Sequence, residues 1–316
     1  MPLPFVIFFS FSILSISFKL LIFKGEFEQA LAFLSRRISL KNPTPLKPLF
    51  INIYHSSWTS LPGLPFTHPM NFPILQNGSL NDEKITPLRV YSPSSNFQSL
   101  RSASRLLIGG KFEECLQAYR EILQRFPFIV ATSAEENSQL MESLAVCRIS
   151  TLAMQLECCR QKLEKEEIVR NLELVSYLGC CPLPPHFAVL TVRRAMITTY
   201  KAGNFLTASF FAKRLMENSF LNSKQNSDEI YKAKQMFIRC EAAGTDAYKL
   251  NFSRLDAETL QICSSSLTPI SSSEESICCP FCKSVAHKKF SGTLCSTCEL
   301  SELGGEVINI FYYFIY

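Results

Sequence analysis

The residues most able to do chemistry are four cysteines near the end of the chain, arranged as two C-x-x-C pairs: Cys279 with Cys282, and Cys295 with Cys298. Each pair can offer two thiolates from one tight turn, and the twelve residues between the pairs allow the two turns to face each other. Four sulfurs then complete a tetrahedral zinc site with no open position, so the ion would be structural. The alternatives are two disulfide bonds, or free thiols in a ribbon that packs without metal.

Two residues close to this quartet are not expected to be ligands. Cys278 is a spare thiol, and His287 lies between the pairs, where we expect a surface side chain. Gly292 favours a turn before the second pair. The sequence contains no phosphate-binding loop, dinucleotide fingerprint, serine elbow or zinc-protease motif, and its four histidines are scattered. Since a closed four-sulfur site also lacks a position for a catalytic water, we expect no enzyme activity.

Composition narrows the class of partner and the compartment. The net charge is +5 over 316 residues and no strongly basic block stands out, which argues against nucleic acid as the main partner. Several of the 13 cysteines lie beside apolar helix positions, as buried thiols do in a reducing compartment rather than in a disulfide scaffold. These cysteines are Cys115, Cys147, Cys158 and Cys240.

Three apolar helices in the second half of the chain form the centre of the predicted fold. Apolar residues recur with the helical period over three segments: Pro185–Lys201, Phe205–Leu215 and Ser227–Ala242. Arg194 is the one polar member of the first apolar stripe. Gly203 can adopt the left-handed conformation that ends one helix, and Asn204 can cap the next.

The same period predicts earlier helices and an intervening connector. The earlier helices are predicted at Gly25–Leu40, from Asn96 to Gly109, from Phe112 to Pro127, at Ala134–Leu163 and at Ile168–Leu178. The Ala134–Leu163 segment is either one long helix or two helices in series. Lys41–Pro93 carries most of the prolines and has no sustained period. We interpret it as a long connector that drapes over helices, and its aromatic residues, Phe50 and Phe72 among them, suggest that it packs.

Three of these helices begin with one short pattern, Gly-x-Phe-x-x followed by a small residue, at Gly25, Gly110 and Gly203. The pattern resembles the second helix of tetratricopeptide-type hairpins, and generic punctuation of helical hairpins is the alternative. Either interpretation gives a mainly α fold class, with an irregular, solenoid-like body of helical hairpins and a small C-terminal β zinc-ribbon-like module. The predicted segments are an apolar start (1–24), a helix with a proline-rich connector (25–95), the helical body (96–252), the four-cysteine module (253–308) and an aromatic tail (309–316).

The two ends of the chain share a low-complexity, aromatic character. Met1–Phe23 is almost wholly apolar, with Lys19 as its only charge, and Ile308–Tyr316 is similar. The first segment has the composition of a signal peptide, a membrane anchor or a buried helix, but it lacks a basic start and a clear cleavage site. We therefore expect both ends to be artefacts of the coding-sequence assignment.

Two stretches are specific in combination: Asn204–Leu215, with the pattern Asn-Phe-x-x-Ala-x-x-x-Ala-x-Arg-Leu, and Thr245–Tyr248, with Thr-Asp-Ala-Tyr. Together they resemble the C-terminal domain of the coatomer (COPI) alpha subunit. Further stretches similar to this family occur in the right order between Gly25 and Ile308. They are Gly25–Ala30, Leu61–Pro65, Gly110–Glu114, Ile122–Leu123 with Pro127, Cys240–Glu241, Ile262–Cys263, Cys279–Pro280, Phe290–Cys295 and Glu302–Ile308.

The resemblance implies a non-catalytic structural subunit of the COPI vesicle coat. It implies binding to the coatomer epsilon subunit, itself a tetratricopeptide-like solenoid, and to other coatomer subunits, in retrograde Golgi-to-ER and intra-Golgi transport. The expected location is the cytoplasm and the cytosolic side of Golgi membranes and COPI-coated vesicles, with peripheral membrane association through the coat. The family's N-terminal propellers, which recognise dilysine cargo tails, and most of its central solenoid have no counterpart here, so we expect a truncated form to which cargo recognition cannot be assigned.

Two rival functions remain open on the sequence alone. A zinc-ribbon adaptor that binds nucleic acid or another protein would use the few basic residues of the module: Lys283, His287, Lys288 and Lys289. A membrane-anchored protein would use Met1–Phe23. For the coat function, we expect one of Phe210 and Phe211 to face the core and the other to face the partner, because adjacent helical positions diverge by about 100°.

Overall fold

The computed structural model describes most of the chain between residues 18 and 307. The described residues are 18, 20–63, 68–77, 85–87, 90–129, 131, 133–164, 166–217, 227–271 and 273–307. The predicted aromatic tail (309–316), Lys19 and residues 1–17 of the predicted apolar start lie outside them.

The described chain is mostly helical, which confirms the predicted fold class. The helices are α1 (Phe27–Ile38), α2 (Lys47–Ser56), α3 (Pro93–Ile108), α4 (Phe112–Arg125), α5 (Ala134–Gln161), α6 (Ile168–Cys180), α7 (Pro185–Lys201), α8 (Phe205–Met216) and α9 (Ser227–Ala243). Consecutive helices from α3 to α9 pack against each other, as expected for a series of helical hairpins. No described helix combines the length and the apolar character needed to cross a membrane.

Short strands form antiparallel pairs at two places in the described chain. In the connector, β1 (Trp58–Leu61) pairs with β2 (Met70–Pro73), and β3 (Leu75–Asn77) pairs with β4 (Ile85–Pro87). In the C-terminal module, β5 (Gln261–Ile262) pairs with β6 (Pro269–Ile270), and β7 (Ser276–Cys278) pairs with β8 (Val285–His287).

The connector is more regular than its sequence indicates, because α2 lies inside it. Tertiary packing favours this helix: Phe50 is buried and its ring lies against that of Phe128. The prediction that the connector packs is therefore correct for Phe50, whereas Phe72 is exposed. The prediction of a connector without a sustained period did not include this helix.

The turn between α7 and α8 is held by the Thr245–Tyr248 stretch. Gly203 has the left-handed conformation predicted for it, with φ +82. The side chain of Asn204 does not cap α8. Instead, its amide exchanges two hydrogen bonds of 2.9 Å with the backbone of Tyr248. Asp246 instead provides the acceptor for the first turn of α8. Its carboxylate accepts hydrogen bonds from the backbone N–H and the hydroxyl of Thr207 at 3.1 and 3.0 Å.

Within the described residues, the buried apolar side chains form two clusters. The first joins the helices from α1 to α6 with the cysteine module, and the second joins α6, α7, α8 and α9. Phe18 and Ile22 belong to the first cluster and are at most 1% exposed, which supports the buried-helix interpretation for that part of the apolar start. The division of the chain into five segments stays a prediction.

Phe211 lies in the second cluster and is fully buried. Phe210 is half-buried, with its ring 5.1 Å from that of Phe211 and 5.9 Å from that of Phe252. The inward residue is thus Phe211, and Phe210 is packed against its neighbours rather than fully free to meet a partner.

Candidate metal centre

Each C-x-x-C pair sits in a turn closed by two backbone hydrogen bonds of its first cysteine, whose N–H reaches a carbonyl five residues on in the first turn and six residues on in the second. In the first turn, the N–H of Cys279 donates to the carbonyl of Ser284 at 2.8 Å, and the N–H of Lys283 donates back to the carbonyl of Cys279 at 3.1 Å. In the second turn, Cys295 donates to Ser301 at 2.8 Å and accepts from Glu299 at 2.9 Å. The chain can turn this tightly because the residue after each pair has a left-handed backbone.

Those two left-handed residues are not glycines. Lys283 has φ 62 and Glu299 has φ 56, a region that residues with a Cβ rarely occupy. Such a conformation persists only where the surrounding structure enforces it, and it often marks a functional site. Both turns therefore store local strain to bring their two sulfurs together.

The four sulfurs of Cys279, Cys282, Cys295 and Cys298 meet in one place. All four side chains are at most 1% exposed, and their sulfur atoms lie within 4.8 Å of one another. The Sγ atoms of Cys279 and Cys298 are 3.8 Å apart, and those of Cys282 and Cys295 are 3.6 Å apart. All thirteen cysteines are free thiols, since a disulfide needs sulfurs about 2.0 Å apart.

These distances can be tested against a metal ion. Four ligands at the usual zinc–sulfur distance of about 2.3 Å stand about 3.8 Å from one another when they are arranged as a tetrahedron. The two measured separations agree with that value to within a few tenths of an ångström. The quartet can therefore hold a metal ion, and a closed set of four sulfurs suits a structural site without an open position.

The electrostatics of the quartet also favour a cation. Hydrogen bonds from Cys282, Cys295 and Cys298 lower the pKa of the Cys279 thiol below its usual value. Burial raises the pKa of the Cys282 thiol well above it. Several thiolates cannot share so small a buried volume without mutual repulsion, and a divalent cation would remove that repulsion.

Side chains from α4 and α5 hold the second turn against the helical body. The backbone carbonyl of Ser296 accepts from Arg120 Nη2 at 3.0 Å and from Gln155 Nε2 at 2.7 Å. Gln124 Nε2 donates to the carbonyl of Cys298 at 3.3 Å, and Arg120 Nη1 lies 2.7 Å from the carboxylate of Glu299. One guanidinium and two neutral amide groups thus bind backbone carbonyls of this turn and fix its position, and the bond from the charged donor, Arg120, is the strongest type.

The segment after α1 holds the opposite side of the same turn. The N–H groups of Lys41 and Asn42 donate to the carbonyl of Leu300 at 2.8 and 3.0 Å, and the N–H of Glu302 donates to the carbonyl of Ser39 at 2.9 Å. We call residues 39–42 the N-terminal strap. This strap links the early part of the chain to the quartet, so the four cysteines lie between three parts of the fold.

A third turn in the module has the same pair of backbone hydrogen bonds as the first cysteine turn. The N–H of Cys263 donates to the carbonyl of Thr268, and its own carbonyl accepts from the N–H of Leu267, both at 2.9 Å. Leu267 has φ 56, like its counterparts in the other turns. Ser266 takes the place of the second cysteine. The turn was not predicted, although the pattern Cys263-x-x-Ser266 was a signal for it in the sequence.

The predictions for the two residues near the quartet, Cys278 and His287, have different outcomes. Cys278 is exposed at the end of β7 and lies outside the group of sulfurs, as expected of a spare thiol. His287 is also outside the group, but the prediction of a surface side chain was wrong. Its side chain is only 14% exposed, because β8 packs it into the module. Gly292 has φ +78 and forms the predicted turn before the second pair.

Known proteins are similar to this chain over most of its length. A family model that describes the C-terminus of the coatomer (COPI) alpha subunit matches residues 19–313. Similar curated proteins include Coatomer subunit alpha-1 of Arabidopsis thaliana, which is 29% identical over 292 residues, covering 90% of this chain and 23% of the relative. Coatomer subunit alpha of Dictyostelium discoideum is 29% identical over 291 residues, with the same two shares. Coatomer subunit alpha of Saccharomyces cerevisiae is 24% identical over 254 residues, covering 79% and 20%.

The chain spans about a quarter of the length of the curated relatives it matches. The family match begins within the apolar start and continues through the helices and the cysteine module. It includes the specific stretches at Asn204–Leu215 and Thr245–Tyr248, so the resemblance seen in the sequence is confirmed. The chain therefore belongs to the family defined by the C-terminus of the coatomer (COPI) alpha subunit.

Proposed function

We propose that this chain is a non-catalytic structural component of the COPI vesicle coat that binds the coatomer epsilon subunit. The single observation that carries the proposal is the family match over residues 19–313. The relatives that share this region are named as coatomer alpha subunits. As part of such a coat, the chain would contact other coatomer subunits and associate peripherally with Golgi membranes and vesicles, in retrograde Golgi-to-ER and intra-Golgi transport.

The metal ion that we propose for the quartet is zinc, bound by Cys279, Cys282, Cys295 and Cys298. The support is the set of four buried thiols and separations of 3.6 and 3.8 Å, which fit tetrahedral zinc. Bound zinc would neutralise thiolate charge and cross-link the two strained turns. The role of the site is to hold the module and the N-terminal strap against α4 and α5, rather than to catalyse a reaction.

The outer face of α9 is the surface that we propose for the epsilon subunit. Tyr231 and Ile238 are 62% and 67% exposed, and their spacing of seven residues places them on one side of the helix. Ala233 and Cys240 have the same spacing and are fully buried on the other side. An exposed pair of large apolar side chains on a regular helix suits a helical partner that packs against it.

The experiment is an isothermal titration calorimetry measurement, in which the purified epsilon subunit is titrated into the purified full chain. Changing Ile238 to Asp should weaken binding by about 30-fold, which corresponds to about 2 kcal/mol for a residue central to the contact. The matched control is Ile108→Asp, because Ile108 is similarly exposed, at 65%. Ile108 lies on α3, which packs in the first core cluster, whereas α9 packs in the second.

The control variant should bind as the unmodified chain does, and both variants should keep the helical circular dichroism signal. Absence of binding by the unmodified chain would overturn the proposed partner. Equal binding by both variants would instead remove α9 from the interface and leave the partner in place.

The alternative of a zinc-ribbon adaptor for nucleic acid has less support. The ammonium group of Lys288 is paired with the carboxylate of Glu275, and that of Lys289 lies over the ring of Phe290. The carbonyl of Lys283 accepts from Arg148 on α5, so the first turn is tied to the helical body. The basic residues of the module are therefore few and partly neutralised, which is unlike the surface of a nucleic-acid-binding protein.

A further inference from the structure

The serine that follows the first cysteine pair contacts one sulfur of the quartet. Ser284 is 6% exposed, and its Oγ lies 3.1 Å from the Sγ of Cys282. The same residue closes the turn, because its carbonyl accepts from the N–H of Cys279. Ser284 therefore contacts both cysteines of the first pair, one through its backbone and the other through its side chain.

The direction of this hydrogen bond depends on whether a metal ion is bound. A free thiol and a hydroxyl can each donate to the other, but a metal ligand is a thiolate, which has no hydrogen to donate. With an ion on the quartet, the hydroxyl of Ser284 has to donate and the sulfur of Cys282 has to accept. A hydrogen bond to an ionised acceptor is roughly twice as strong as one between neutral groups.

The charge of the loaded quartet makes such a donor stabilising. A divalent cation with four thiolates has a net charge of about −2. All four cysteine side chains are at most 1% exposed, so water cannot solvate that charge well and nearby donors have to stabilise it. Loss of an outer partner of a metal ligand typically lowers metal affinity by about 10–100-fold.

The two cysteine turns provide a comparison within one molecule. Ser301 is the counterpart of Ser284 in the second turn, since its carbonyl accepts from the N–H of Cys295. Its side chain is also buried, yet its hydroxyl has no hydrogen-bond partner among the described residues. The second turn is one residue longer, and Leu300 takes the place two residues after Cys298. Of these two serines, only the one in the first turn brings its hydroxyl to a sulfur.

The third turn shows that the contact follows from the shape of the first turn. Thr268 takes the place of Ser284 there, because its carbonyl accepts from the N–H of Cys263. Its hydroxyl lies 2.7 Å from that of Ser266, which stands where the first turn has Cys282. The same turn thus brings a hydroxyl against the fourth residue twice, once onto a sulfur and once onto an oxygen. Threonine is accommodated at this place.

We propose that Ser284 is a positioning residue for the metal ion, whose hydroxyl donates to the thiolate of Cys282 and raises the affinity of the quartet for zinc. The hydrogen bond draws electron density from this sulfur and fixes its direction, so the two cysteine pairs hold the ion unequally. This inference rests on the zinc site proposed above and adds to it a residue that is not itself a ligand.

The test measures metal binding by the full chain. The zinc-loaded chain is titrated with a chromophoric chelator, and a second sample is loaded with Co²⁺ by exchange, because the sulfur-to-cobalt charge-transfer band reports how strongly the thiolates donate electrons. Ser284→Ala should lower the affinity for Zn²⁺ by about tenfold and move the band to longer wavelength. The helical circular dichroism signal should remain that of the unmodified chain.

Two further variants separate a role at the sulfur from a role in packing. Ser301→Ala is the matched control, because it removes a buried hydroxyl at the equivalent place without a sulfur contact. It should keep the zinc affinity and the charge-transfer band of the unmodified chain. Ser284→Thr keeps the hydroxyl and should also match the unmodified chain in both measurements.

Three outcomes would overturn the proposal. Unchanged affinity and an unshifted band in Ser284→Ala would remove the hydroxyl from the site. Equal loss of affinity in Ser284→Ala and Ser301→Ala would reduce the effect to lost packing. Equal weakening in Ser284→Ala and Ser284→Thr, with an unshifted band in both, would assign the serine to the shape of the turn. An unmodified chain that binds neither ion would instead overturn the zinc site itself, and this inference with it.

Discussion

A buried carboxylate at the junction of the two core clusters gives the sharpest stability prediction. Glu157 on α5 is 1% exposed and accepts from Arg160 through Nε and Nη2, both at 2.8 Å. Arg194 Nη1 on α7 lies 3.0 Å from the same carboxylate, and Arg160 Nη1 reaches Asn171 on α6 at 3.4 Å. One negative charge therefore links three helices, which explains the polar position in the apolar stripe of α7.

Changing Glu157 to Gln keeps the shape of the side chain and removes its charge. Removal of one partner from a buried ion pair costs about 3–5 kcal/mol, because the other charge is left without compensation. Here the two arginine side chains are 18% and 41% exposed, so water replaces part of the lost interaction. We therefore expect the free energy of unfolding to fall by about 2–3 kcal/mol.

The assay is urea unfolding followed by far-UV circular dichroism, with an unchanged slope as the sign that the same structure unfolds. Glu113→Gln is the matched control, because Glu113 pairs with Lys162 at 3.0 Å while both side chains are 71% exposed. Because water screens this exposed pair, the control should unfold at the same urea concentration as the unmodified chain, within the error of the assay. A Glu157 variant within about 0.5 kcal/mol of the unmodified chain, or equal to the control, would refute the reasoning.

Three further predictions follow from packing, burial and backbone strain. Gly179→Ala should lower the free energy of unfolding by about 1–3 kcal/mol in the same assay, because a Cβ at this position would lie 2.9 Å from the ring of Phe211. An unchanged free energy of unfolding would show that α6 can shift to make room. Burial raises the pKa of Cys115 and of Cys181 to about 12. Their stabilising contribution should be complete below about pH 9 and be lost as the pH rises toward 12, by up to about 1.4 kcal/mol per pH unit for each thiol, measured as unfolding free energy against pH. Lys283→Val should destabilise the module by about 1–2 kcal/mol and Lys283→Gly should not, measured as the zinc concentration needed for half-folding; equal effects would contradict the strain assigned to φ 62.

The helices with a strong apolar period could be predicted from the sequence, and their ends fell within a few residues of those observed. The helix from Ile168 was predicted to end at Leu178 and ends at Cys180, and the helix from Ala134 was predicted to end at Leu163 and ends at Gln161. The helix α2 could not be predicted, because its support comes from distant aromatic residues rather than from its own period. Asp246 as the partner of the α8 start was missed for the same reason, since it lies far from α8 in the sequence.

In the candidate site, too, some residues could be predicted from the sequence and others could not. The four cysteines were predictable because two pairs with one spacing require little else from the fold. The residues that hold the second turn were not predicted. Arg120, Gln124 and Gln155 are polar residues on helices, where the usual expectation is contact with water, and only their packing against the module shows their role. The burial of His287 likewise depends on the packing of β8, which its sequence position does not reveal.

The metal content of the purified full chain tests the central claim about this site most directly. Elemental analysis should give one zinc ion per chain, and Cys298→Ala should lower that value to near zero, since three thiolates leave an open and weaker site. Cys278→Ala, the matched control for an exposed neighbouring thiol, should retain one zinc. A chain that contains no zinc while all four thiols of the quartet are reduced would contradict the account.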